Sequence, residues 1–217
     1  MNGADRDAGA ARWKFPEPKS AGDEKKEPAR GLSGMLMAYA NGWKRGPDLG
    51  EFAADTELSG AQATALRKES LRNLPRTERR QLEKLIDKQH IEGMAIRSYV
   101  REAGSSFFTD TAAAVTVQLS QMKNRAAVRN IATSQKEFFD GLGAFRKGPK
   151  IKGHREAACF LPPKDSHKDL DSMFCSAYRG DVLVTVTANG VKPFDAEGVA
   201  ELLEGQLDRI AEPGEAV

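Results

Sequence analysis

"MFCSAYRGDVLVTVTANG", residues 173–190, is the stretch on which the fold turns. Phe174, Ser176 and Tyr178 alternate toward Arg179-Gly180-Asp181, after which Val182, Val184 and Val186 alternate with Leu183, Thr185 and Thr187. A period of two on both sides of a glycine turn predicts an antiparallel hairpin. The Arg-Gly-Asp triplet also matches a cell-adhesion tripeptide, but a tight turn demands glycine between polar residues, and the turn is the reading adopted. A helix follows. Asp195 is its natural N-cap, Phe194 and Val199 stand at staple positions, and Val199, Leu202, Leu203, Leu207 and Ile210 form its apolar stripe.

The same grammar occurs earlier. Met94, Ile96, Ser98 and Val100 alternate with Ala95, Arg97 and Tyr99, and Val115, Val117 and Leu119 alternate with Thr116, Gln118 and Ser120. These read as two half-buried antiparallel strands. Val128, Ile131, Ala132, Gln135, Phe138, Phe139 and Leu142 then recur at helical spacing, with Asn124 able to cap the start and Gly143 placed to end the helix. Strands in hairpins followed by a helix, twice over, predict an α+β fold: an antiparallel sheet with helices packed on it.

Ahead of this core, Met35, Leu36, Met37 and Tyr39 suggest a first strand before the Asn41-Gly42 turn. Ser59 and Gln62 have capping-box spacing, so a helix is expected from Gly60, interrupted at Pro75. A second helix over 76–90 aligns Leu82, Leu85, Ile86 and Gln89 on one stripe, with basic residues largely opposite. Residues 1–30 mix both charges with Pro16, Pro18 and Pro28, and offer only Trp13 and Phe15 as large apolar groups. They cannot bury enough apolar surface to offset ordering entropy, and read as a disordered tether before a single α+β domain over 31–213.

The net charge of +2 gives little reason to expect a dedicated nucleic-acid binder. No run approaches the roughly 18 apolar residues of a membrane span, so the chain as given reads as soluble. Walker, zincin and nucleophile-elbow patterns are absent, and Gly141 and Gly143 fail the dinucleotide fingerprint because Arg146 holds the third position. No cofactor or catalytic residue is assigned. Two basic regions remain. In the 76–88 helix, acids interleave with the cations and intrahelical ion pairs account for them. The loop carrying Arg146, Lys147, Lys150, Lys152 and Arg155 has fewer acids and is the better candidate for contacting an anion.

Cys159 and Cys175 are the chain's two cysteines. A disulfide between them would contribute about 3 kcal/mol by loop closure. Its geometry is permitted, because Cys-Phe-Leu before Pro162-Pro163 reads as a short strand beside the hairpin. A zinc site would need His154, Cys159, His167 and Cys175, at separations of five, eight and eight positions that do not match one-turn ligand spacing. Idle reduced thiols in a cytosolic protein remain the competing reading.

Residues 153–210, with cysteine, loop, "MFCSAYRGDVLVTVTANG" and "VAELLEGQLDRI", resemble the C-terminal end of extracytoplasmic domains in actinobacterial membrane proteins and lipoproteins. Those include the sensor-like domains outside mycobacterial-type serine/threonine kinases. The "WKFPEPKS" and "KKEPARGL" stretches likewise resemble the linker that follows a membrane anchor. The resemblance implies a Cys159–Cys175 disulfide and an address outside the cytoplasmic membrane, with an anchor in the full-length protein. The expected function is a non-enzymatic binding or sensing module of the cell envelope, whose partner is an envelope protein or a small ligand. The alternative is a cytosolic adaptor that engages nucleic acid or an acidic protein through the basic helix and loop.

Overall fold

Alternating strands and capped helices assemble as the patterning requires. The computed structural model describes residues 31–101, 112–164 and 169–211, so the expected tether at 1–30, Trp13 and Phe15 lie outside the described residues, as does His167. The elements in chain order are α1 (Leu32–Met35), β1 (Lys44–Arg45), β2 (Asp55–Ser59), α2 (Gly60–Glu69), α3 (Arg76–Lys88), β3 (Ile91–Arg101), β4 (Ala113–Met122), α4 (Arg125–Leu142), β5 (Arg146–Lys147), β6 (Ala158–Leu161), β7 (Leu170–Arg179), β8 (Val182–Val191) and α5 (Ala196–Ala211). The strands form one antiparallel sheet in the order β1-β3-β4-β8-β7-β6-β5, with β2 also paired to β3. The fold is α+β.

Local chemistry sets most boundaries. At α2 the Ser59 hydroxyl accepts from the Gln62 amide and Gln62 Oε1 accepts from the Ser59 amide at 3.0 Å, a complete capping box. At α4 the Asn124 side chain accepts from the Ala126 amide at 2.8 Å, and Gly143 closes the helix at φ 64°, a left-handed conformation that costs glycine little. Asp195 caps α5 by accepting from the Gly198 amide at 2.9 Å. The β7–β8 hairpin turns through Gly180 at φ 62°.

Both faces of the sheet are covered. On one, Val115, Val117, Leu119, Val184 and Val186 pack with Leu36, Trp43 and the α5 stripe of Val199, Leu202, Leu203 and Leu207. On the other, Met94, Ile96, Met122 and Leu183 meet Ala63 of α2 and Val128 and Ala132 of α4. β3 is therefore buried on both faces instead of half-buried, because helices cover each side where it crosses. Its Arg97 goes into the α5-side layer. The guanidinium reaches Asp55 at 2.6 Å and donates to the carbonyls of Met37 at 2.9 Å and Leu36 at 3.3 Å.

Two expectations change. The 35–39 stretch is not a strand: α1 ends at Met35, and the extended chain beyond it is held by side chains. Gln206 of α5, fully buried, accepts from the Met37 amide at 3.0 Å and donates to the Met35 carbonyl at 2.8 Å. Tyr99 donates to the Met37 carbonyl at 2.7 Å. Side chains thus satisfy backbone groups that a neighbouring strand would otherwise pair. The α3 stripe also finds no core to enter. None of its residues is buried and Leu85 is 54% exposed, since the sheet face beneath is already taken by α2.

Removing Asp55 leaves the buried Arg97 charge without its counter-ion, so Asp55→Ala is expected to lower stability by about 3 kcal/mol in urea unfolding, whereas Arg97→Met, which removes the charge and keeps the volume, costs less. Burial raises the Tyr99 pKa above the ordinary tyrosine value, against the opposing pull of Arg97. The unfolded chain therefore releases this proton first as pH rises. Stability is expected to decline above about pH 10, and Tyr99→Phe should make that decline shallower.

Candidate functional site

The sulfurs belong to the core. β6 pairs antiparallel with β7 so that Cys159 stands directly opposite Cys175, and the two are joined in a disulfide with S–S 2.06 Å. Cys159 is 4% exposed and Cys175 is fully buried. Both point into the layer shared with Met173, Ala177 and Val186, so the link ties the short β6 to the long hairpin from inside. Phe160 and Phe174, one position along, face the other way and stack around Phe139 of α4 at centroid distances of 4.9 and 5.0 Å. Alternation thus gives the β6–β7 pair a covalent contact on one face and an aromatic contact on the other.

β6 also forms the wall of a cleft. β5 pairs with it for two residues, the Gly148 amide then donates to the Cys159 carbonyl at 2.8 Å, and residues 149–157 turn back to β6 through backbone bonds from His154 to Ile151 and from Ala157 to His154. A Cβ on Gly148 would lie 2.7 Å from the Cys159 Cβ, so only glycine permits this approach. Between that segment and α4 lies a cleft of about 460 Å³. Its apolar lining includes Pro149, Ile151, Ala157, Ala158 and Phe160. Its charged lining is Lys136, Lys147, Lys150 and Arg155 against one carboxylate, Asp140.

The five basic residues singled out by sequence divide by environment. Arg146 is engaged elsewhere: it pairs with Asp171 at 2.9 Å and donates to the Pro162 carbonyl at 2.8 Å, which fastens the β5 edge to β7. Lys147 lies 3.5 Å from Asp140 across the cleft. Lys150 and Arg155 line the cleft, and neither has an ion-pair partner among the described residues. Lys152 is exposed and is not among the lining residues. The loop reading omitted Lys136, which comes from α4 and also lacks an ion-pair partner among the described residues. The signal was present: once Gln135 and Phe139 define the helix face turned to the sheet, Lys136 and Asp140 fall on one flank beside it.

His154 lines the cleft and is buried, with its ring held at both nitrogens, Nδ1 3.3 Å from Glu156 and Nε2 2.9 Å from Asp208 of α5. That arrangement anchors the loop to the helix beneath. Among the described residues, no group of three or more histidine, cysteine, aspartate or glutamate side chains is placed to hold a metal ion. Also among them, no helix is long and apolar enough to cross a membrane.

No family model matches the sequence. No curated protein matches it either. Among solved structures, the chain is similar to the extracellular domain of PknH from Mycobacterium tuberculosis at 11% sequence identity and a TM-score of 0.45, with 84% of this chain and 98% of that one covered.

The disulfide is expected to show no reactive thiol in protein denatured without reduction. Replacing both cysteines by alanine should cost about 2–4 kcal/mol in unfolding free energy. Two titratable thiols in unreduced protein would contradict the pairing.

Proposed function

We propose that this chain is a non-enzymatic binding or sensing module working outside the cytoplasmic membrane of an actinobacterial cell, as the outer portion of a membrane-anchored protein. Its ligand enters the cleft between α4 and residues 148–158 through an anionic group. The observation that carries the reading is the Cys159–Cys175 disulfide, buried in the sheet and forming part of the cleft wall. Structural disulfides of this kind persist in oxidising compartments and are rare where cytosolic reductants keep thiols free.

The chemistry of the cleft favours binding over catalysis. Both sulfurs are consumed in the disulfide, and both His154 nitrogens are held by carboxylates, so neither a thiolate nor a free imidazole is presented to a substrate. What the cleft offers is unneutralised positive charge at Lys136, Lys150 and Arg155. A cytosolic adaptor would need the basic helix α3 together with this loop. On α3 Arg79 and Glu83 pair at 3.7 Å and Lys68 of α2 reaches Asp87, so part of the basic charge is already satisfied.

The test is titration of the full chain with inorganic phosphate, followed through backbone amide shifts. Gly148, Lys150, Ile151 and residues 157–160 are expected to shift, with affinity falling as salt rises. A Lys150→Glu, Arg155→Glu double variant should lose most of the response, whereas Lys152→Glu should keep it. Shifts scattered over α3 and absent from the cleft would refute the assignment.

A further inference from the structure

We propose that the ligand of this cleft is an amphiphilic anion: one phosphate- or carboxylate-like group joined to an apolar chain or ring of modest size. The inference rests on the cleft being the binding site and specifies what occupies it. Two chemistries are built into the same walls. Lys136 from α4 and Lys150 and Arg155 from the edge segment supply positive charge from separate places in the sequence. Ile151 and Phe160, 6% and 4% exposed, with Pro149, Ala157 and Ala158, supply apolar surface between them.

The apolar wall is rigid. Phe160 stacks on Phe139 at 4.9 Å, Phe139 meets Phe145 at 4.9 Å edge to face, and the neighbouring Cys159 is covalently fixed. A preformed wall loses little freedom when a ligand covers it. Charge alone would make a poor site, because an ion pair between an anion and a lysine or arginine exposed to water contributes little. Small-molecule sites are mostly apolar with a few placed polar groups, and a volume of about 460 Å³ lies within their usual range. An ion such as free phosphate would leave the Phe160 and Ile151 side unused. A purely apolar molecule would leave three cations without a counter-charge.

Inorganic phosphate, butyl phosphate, hexyl phosphate and hexylamine, each titrated into the full chain and read by backbone amide shifts, separate the alternatives. The expected result is an affinity rising about three- to fourfold per added methylene from butyl to hexyl phosphate, with the shifts at Gly148, Lys150, Ile151 and residues 157–160. Hexylamine should bind at least tenfold more weakly. The Lys150→Glu, Arg155→Glu variant should weaken hexyl phosphate binding at least tenfold, and Lys152→Glu should change it less than twofold. A match between the unfolding curves of each variant and the parent assigns the loss to binding. Equal affinity for inorganic and hexyl phosphate overturns the amphiphile while leaving the anion site standing. Equal affinity for hexylamine and hexyl phosphate overturns both the anionic requirement and the amphiphilic anion. An absence of cleft shifts with every compound overturns the site itself. Sedimentation with phosphatidylglycerol vesicles separates the two sources of such a ligand. Protein carried down and released by hexyl phosphate indicates a lipid headgroup, binding to the soluble phosphate alone indicates a free metabolite, and either result upholds the class.

Discussion

The sulfur bridge between Cys159 and Cys175 governs one edge of the sheet. β6 has four residues and β5 two, too few hydrogen bonds to hold an edge against fraying without help. Fixing Cys159 opposite Cys175 ties that edge to the hairpin through the core, and the loop closed between them removes freedom from the unfolded chain. The consequence reaches past β6. Gly148 lies against Cys159, residues 149–157 turn back to β6, and within them His154 is held by Asp208 of α5. A covalent contact inside the sheet thereby positions a cleft outside it.

The opposite edge is organised by polar side chains. Arg97, Tyr99 and Gln206 donate to or accept from the backbone of residues 35–37, and Arg209 donates to the Gly34 carbonyl at 3.0 Å. Asp195 has two roles, capping α5 and pairing with Arg101 at 3.0 Å, so the helix start and the end of β3 are fixed together. The Arg97 guanidinium is largely removed from water, and three acceptors meet its two terminal nitrogens within 3.3 Å, while its Nε is buried without a partner. Local backbone order at this edge depends on partners more than forty positions away in sequence.

Positive charge in this protein divides into spent and unspent. Arg146, Arg97 and Arg101 are each bound to a carboxylate and act as fasteners between elements. Lys136, Lys150 and Arg155 have no such partner among the described residues and share one cleft with Phe160 and Ile151. The distinction bears on function, because a cation already neutralised by an internal carboxylate offers little attraction to an incoming anion. The loop that looked uniformly basic in sequence is therefore two structures: a fastening at Arg146 and a receptive surface beyond it.

Sequence by itself determined the elements with local causes. The capping box at Ser59, the Asn124 and Gly143 ends of α4, the Gly180 turn and the α5 stripe each rest on interactions within a few residues, and they stand where the patterning places them. The strand-like Cys-Phe-Leu beside the hairpin permitted the Cys159–Cys175 pairing without requiring it. Only tertiary structure decided the rest. Whether the Met35–Tyr39 stretch pairs as a strand depends on Gln206, Arg97 and Tyr99 taking up its backbone groups; whether the α3 stripe is buried depends on α2 covering that face. The cleft belongs to the same category. Lys136 and Lys150 approach one volume because a sheet edge and a helix flank meet there, and spacing along the chain carries no record of distances set by packing.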